Sequence, residues 1–128
     1  MNERKLWAAL NRLIAHRWHA QRLEDKLALG VPDLIYAING VQGAIELKVV
    51  NRTSNKIRIS PYQRSWLMKH GSKGGHSFLM VWAHEDQVVC LYDHEAAYKM
   101  ETMEDAEPVM EWKGAIKDMR DEFIKAIS

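Results

Sequence analysis

GVPDLIYAINGVQGAIELKVV, residues Gly30 to Val50, decides how this chain is read. Leu34 to Ile38 and Ala44 to Val50 are apolar, strand-like runs, and Asn39-Gly40 between them is the strongest short signal for a two-residue type I′ hairpin. Such a turn sets Ile38 opposite Val41, Ile35 opposite Ala44, and Asp33 opposite Glu46. Lys48 follows Glu46 by two residues and so shares its face of the strand. Three charges thus meet on one face of an apolar hairpin. Opposed like charges destabilise a sheet, and a buried unpaired ion costs several kcal/mol, so a cation between the two carboxylates would make physical sense of the pattern. Gly43 leaves a longer loop or a bulge open as a second register.

Outward from the hairpin, Glu3 to Ala15 places Leu6, Leu10, Leu13 and Ile14 at helical spacing, which predicts an amphipathic first helix. Arg17 to Glu24 alternates loosely and reads as an edge-like first strand. Asn51 to Ile59 is a polar, basic loop or strand extension, and Ser60-Pro61 starts a helix over Pro61 to His70, ended by the glycine-rich 71–75 stretch. Ser77 to His84 and Gln87 to Tyr92 are two further strands around a Glu85-Asp86 turn. Asp93 caps a short helix reaching about Met100. Glu101 to Glu107 is acidic, Pro108 interrupts, and Ala115 to Ile127 is a closing amphipathic helix. The order is α-β-β-β-α-β-β-α, a mixed α/β sheet with helices against it.

The length of 128 residues suits one ordinary domain. The one cysteine, Cys90, lies in the apolar run Val88-Val89-Cys90-Leu91, which excludes a disulfide framework and suggests a buried thiol in a reducing, intracellular compartment. The longest apolar run, Phe78 to Ala83, is far too short to span a membrane, and the chain start does not read as a signal peptide. The net charge of +1 hides an asymmetry. Residues 1–75 hold 13 Lys/Arg against 5 Asp/Glu, whereas residues 76–128 hold 5 against 12. A basic first part is what a polyanion-binding surface requires, although two solvated faces of different sign would have the same composition.

Oxygen donors on a rigid strand pair suit a hard divalent ion such as Mg²⁺, which binds through one or two carboxylates plus substrate phosphate. A lysine beside it can hold a nucleophilic water and offset negative charge developing at phosphorus. The chemistry implied is metal-assisted phosphodiester hydrolysis. An isolated Glu-x-Lys is common and by itself would simply face solvent; the order of the motifs carries the weight.

That order, "GVPD" and then "ELK" in the next apolar strand, resembles the PD-(D/E)xK nuclease superfamily. More narrowly it is similar to the virus-type replication-repair (VRR-NUC) nucleases and the archaeal-type Holliday junction resolvases. The resemblance extends to the Glu-bearing first helix "NERKLWAALNRL" and to the Ser-Pro-x-Gln helix "SPYQRSWL", and it covers roughly residues 3–92. It implies a restriction-endonuclease-like core of order α-β-β-β-α-β over residues 1–92; residues 93–128 have no counterpart in it and read as an acidic extension and an additional C-terminal helix, packed on the core or at a dimer interface. It further implies that Asp33, Glu46 and the carbonyl of Leu47 hold Mg²⁺ or Mn²⁺ while Lys48 supports the attacking water. The family's further acidic residue matches Glu3, with Glu24 as the rival. Gln63 matches a helix glutamine that orients site groups, yet Ser60-x-x-Gln63 is equally a capping box.

DNA, branched DNA included, is the implied partner. It would approach over Arg52, Lys56, Arg58, Arg64, Lys69 and Lys73, whose phosphate contacts give affinity without sequence preference. A homodimer is implied by the related resolvases, with no small-molecule cofactor and no membrane. For a phage-encoded protein the compartment would be the host cytoplasm. His16 and His19 lack the companions of a zinc site; Trp66 and Trp82 read as core, and Trp7 and Trp112 as core or interface. Two other classes fit part of the pattern: a non-catalytic nucleic-acid-binding module on a nuclease-like fold, and a protein-interaction domain acting through the acidic tail.

Overall fold

The chain starts its first helix where the sequence caps it. Asn2 Oδ1 accepts the Lys5 N–H at 3.0 Å, and α1 (Glu3–Ile14) follows with Leu6, Leu10 and Ile14 buried along one stripe. The structure is a computed structural model and describes residues 2–24, 29–51, 53–54 and 56–128. After α1 come β1 (His19–Arg22), β2 (Leu34–Ile38), β3 (Val41–Val50), α2 (Pro61–Ser72), β4 (His76–Ala83), β5 (Val88–Asp93), α3 (His94–Lys99), β6 (Met110–Lys113) and α4 (Arg120–Ile127). The six strands form one sheet in the order β1-β2-β3-β4-β5-β6. β3 and β4 pair in parallel across the α2 crossover, and the other neighbours pair antiparallel. No helix among the described residues is long and apolar enough to cross a membrane.

The hairpin has the register that its turn dictates. Ile38 pairs with Val41, Ile35 with Ala44 and Leu34 with Ile45, and Asn39 and Gly40 both take positive φ, 49° and 81°, as a type I′ turn demands. Gly43 is neither loop nor bulge. It pairs with Tyr36, and a Cβ there would lie 2.5 Å from Tyr36 Cζ, so glycine makes room for that ring. The Tyr36 hydroxyl donates to the Ile127 carbonyl at 3.0 Å, tying the hairpin to α4, and burial pushes its pKa upward.

Strand alternation divides the sheet into two faces. Leu34, Tyr36, Ile45 and Leu47 join Leu10 of α1 and Phe123 of α4 in one core; Leu79, Val81, Cys90 and Tyr92 join Leu67 of α2 and Ala97 of α3 in the other. Full burial of each aliphatic side chain contributes about 1.5–3 kcal/mol, so both helical layers are held by the sheet. Glu46 and Lys48, one residue out of phase with Ile45 and Leu47, belong to the α2 side. Cys90 is buried as expected, and desolvation raises its thiol to about 11.

Four expectations need correcting. The first strand is shorter than Arg17 to Glu24, because only His19–Arg22 finds partners on β2. The closing helix is broken: Ile116–Asp118 forms a 3₁₀ turn, buried Met119 is the joint, and α4 starts at Arg120. β6 is not among the strands that the sequence pattern predicts, since a four-residue edge strand that exposes Glu111 and Lys113 has too little pattern to register. Trp66 and Trp82 are only partly buried, and the central indole is Trp18, with ring centroids 6.1 Å from Trp7, 5.9 Å from Tyr36 and 5.8 Å from Phe123.

Candidate active site

Asp33 stands one residue before β2, where the hairpin register carried one step further sets it opposite Glu46. Its Oδ2 accepts the Leu47 N–H at 2.8 Å. A strand residue turns its N–H and C=O to the same neighbour, so the Leu47 carbonyl points past the end of β2 toward Asp33. Glu46, in the middle of β3, is only 1 % exposed. Lys48 Nζ lies 3.4 Å from Oε2 and the Gln63 amide nitrogen donates to the same oxygen at 2.8 Å, and both help to offset the burial of its charge.

Gln63 fills both of the roles that its sequence context allows. Its amide oxygen accepts the Ser60 N–H at 2.9 Å, and its backbone N–H donates to Ser60 Oγ at 3.1 Å, completing the capping box. The other end of the same amide reaches Glu46. The cap of α2 therefore fixes the orientation of the β3 carboxylate.

Gly30 closes the arrangement from the other side. It adopts φ +82°, and a Cβ there would collide with the Tyr62 carbonyl and meet Gln63 N, so this loop lies directly on the first turn of α2. The "GVPD" glycine is thus the contact that sets the Asp33 segment against the Gln63 segment.

These residues line an open groove of about 390 Å³ formed by Asn2, Glu3, Arg4, Arg22, Asp33, Glu46, Leu47, Lys48 and Gln63. Of the two rival carboxylates, Glu3 at the start of α1 lines the groove. Glu24 does not; its side chain is 65 % exposed and pairs with Arg22 at 3.4 Å. Arg4 and Arg22 are groove residues that the sequence pattern alone does not single out. Arg22 is adjacent to the Leu34 end of β2, and only the strand pairing reveals that proximity.

The expected cations are dispersed. Lys56, Arg58 and Arg64 line one groove with Glu101. Arg64 is engaged, with Nη1 at 2.9 Å, 3.2 Å and 2.6 Å from the carbonyls of Ala97, Tyr98 and Met100, where it fastens the end of α3. Lys69 and Lys73 are exposed at the C-terminal end of α2, about 9 and 15 Å along the helix axis from Gln63. Arg52 lies outside the described residues.

Neither a family profile nor a curated protein matches the sequence. Solved structures do. An archaeal Holliday junction resolvase, Hjc from Archaeoglobus fulgidus, superposes with TM-score 0.57 at 15% identity, over 98% of this chain and 97% of that one. A bacterial homing endonuclease superposes with TM-score 0.52 at 10% identity, over 95% of this chain and 85% of that one. At these identities the likeness shows the fold alone, a mixed α/β, restriction-endonuclease-like fold.

Proposed function

We propose that this protein is a metal-dependent DNA nuclease that hydrolyses phosphodiester bonds and selects its substrate by structure, branched DNA above all. The observation that carries the reading is the buried Glu46 held by both Lys48 and the capping amide of Gln63, beside Asp33, in a groove that also contains Arg4 and Arg22. Purely structural polar groups are not expected to converge on an open groove in this way. The nuclease neighbours support the same reading.

Asp33, Glu46 and the Leu47 carbonyl are hard oxygen donors on rigid strands, the set that Mg²⁺ or Mn²⁺ takes. Among the described residues no three His, Cys, Asp or Glu side chains form a metal cluster of their own, so an ion here would draw further ligands from phosphate and water. When bound there, the ion supplies electrostatic stabilisation of the charge that builds on phosphate. Lys48 orients the water whose oxygen attacks phosphorus as the ester P–O bond breaks, and offsets the negative charge that develops. Gln63 holds the Glu46 carboxylate in place. Glu3 brings a third carboxylate to the groove, and Arg4 and Arg22 hold the flanking phosphates. Lys56 and Arg58, both exposed on the loop after β3, extend that contact along the backbone.

Recombination, repair or phage DNA processing, inside the cell, is the setting this activity suits. Two copies of the chain would place paired cuts on opposite strands of a branch. Size-exclusion chromatography with light scattering, with and without junction DNA, tests that assembly: a monomer under both conditions removes it. The activity itself is tested by incubating the protein with labelled single-stranded, duplex, flap and four-way-junction DNA, in Mg²⁺, Mn²⁺ or EDTA. Cleavage in metal and none in EDTA is expected. Salt-sensitive binding with no cleavage in either metal would instead identify a non-catalytic binding module.

A further inference from the structure

Beside the phosphate site of the proposed nuclease, on which reading this inference rests, lies an unusual grouping of apolar side chains. Among the described residues five large apolar side chains are exposed: Leu29, Ile35, Tyr62, Tyr98 and Val109. Single exposed hydrophobics need no explanation, but two of these five, Leu29 and Tyr62, flank the loop–helix contact next to groove-lining Gln63. Tyr62, 60 % exposed, immediately precedes Gln63, whose amide holds Glu46. Leu29, 72 % exposed, immediately precedes Gly30, whose backbone lies against the Tyr62 carbonyl. Ile35 is apart from these two and lines a different groove, with Gln21, Gly43 and His70. The Gly30 contact therefore brings the Leu29 and Tyr62 positions close together in the fold, one residue from Gly30 and from groove-lining Gln63 respectively.

We infer that Leu29 and Tyr62 form an apolar rim that receives a nucleobase unstacked from its strand, next to the phosphate bound in the groove. The occupant must present a flat apolar face and a phosphate within one nucleotide of each other. The groove supplies Arg4, Arg22 and Lys48 for the phosphate, and the rim supplies a phenol ring and an isobutyl group for the base. Paired duplex bases hide those faces in the stack, leaving only edges and backbone. A nucleotide at a branch point, a flap base or a single-stranded gap has its face available. The rim thus selects nucleic acid with an unstacked base at the cutting position, and it does so without reading sequence.

The test measures binding in EDTA, so that cleavage plays no part. DNA carries 2-aminopurine as an unpaired base at a flap or junction, or as a paired base within duplex. Stacking on the rim is expected to quench the unpaired probe. Tyr62→Ala and Leu29→Ala should weaken binding of flap, junction and single-stranded DNA by about five- to hundred-fold, while duplex binding changes by less than about twofold. Tyr62→Phe should retain the wild-type preference, because the ring is what stacks. Equal loss on duplex and unpaired DNA, or no loss on either, overturns the rim. Failure of the nuclease reading has a different signature, a wild-type protein that cuts no DNA in metal while these binding preferences persist; a protein that binds no DNA at all overturns both.

Discussion

The two ends of α2 fasten the same helix to the same sheet by different chemistry. At the N-terminal end, one glutamine side chain caps the helix and holds a buried carboxylate on β3. At the C-terminal end, His70 Nδ1 pairs with the Ser77 hydroxyl on β4, itself only 2 % exposed, and the imidazole stacks on Trp66 with ring centroids 4.7 Å apart. One end binds an ion that faces an open groove. The other joins a half-buried imidazole to a buried hydroxyl. Both contribute stability, but only the first sets a charged side chain in the lining of the proposed nuclease groove, so the two ends should respond differently to substitution.

The largest effect belongs to the charged end. Glu46→Gln and Lys48→Met are each expected to lower cleavage by about 100- to 1,000-fold, measured by single-turnover kinetics on labelled DNA. Lys48→Met should also destabilise the protein in EDTA by about 1–3 kcal/mol in urea unfolding, because it removes the Lys48 ammonium from beside the buried Glu46 carboxylate. Gln63 comes next, since it serves cap and carboxylate together. Gln63→Met should cost about 1–3 kcal/mol and reduce cleavage, whereas Gln63→Glu keeps the cap, sets a second carboxylate against Glu46, and should damage cleavage more than stability.

Between the two ends, Arg64 separates fastening from DNA contact. Arg64→Met should cost about 1–3 kcal/mol through the lost bonds to the end of α3 and alter DNA affinity by less than about twofold in a binding titration. Affinity falling in step with the other basic residues would return Arg64 to the DNA surface.

The smallest effect is at the neutral end. Burial, and secondarily the neighbouring His76, lower the pKa of His70. The unfolded chain therefore binds the proton more readily than the folded one near the ordinary value of about 6.5. Stability from this group is complete above that value and declines as pH falls toward the lower folded pKa. Melting temperature should drop from pH 7.5 to 5.5, and His70→Gln should flatten that slope while leaving cleavage at pH 8 within about twofold. If cleavage followed His70 as it follows Gln63, the contrast between the two ends would collapse.

What is legible in the sequence follows from how far apart the interacting residues lie. Asn39-Gly40 dictates the β2–β3 register locally, so the sequence alone puts Asp33, Glu46 and Lys48 on one face. Ser60 and Gln63 announce their capping box, and the first helix announces its stripe. Arg22 of the groove, the His70–Ser77 pair and the Arg64 tie depend on which strands and helices meet, which no local pattern encodes. The C-terminal part is the hardest to read for a related reason. β6 is short and lies at the edge, and a 3₁₀ turn before α4 leaves that helix only eight residues, so neither sustains a period; yet Met110, Met119, Phe123 and Ile127 all enter the main core.

The most direct test of the Asp33, Glu46, Lys48 and Gln63 centre is cleavage of a labelled four-way junction in Mg²⁺ by wild type, Glu46→Gln and Lys48→Met side by side, with junction binding measured on the same preparations. Wild type should cut, and both variants should bind the junction while cutting at least about 100-fold more slowly. A wild-type protein that leaves every DNA substrate intact, or variants that cut as fast as wild type, would contradict the assignment.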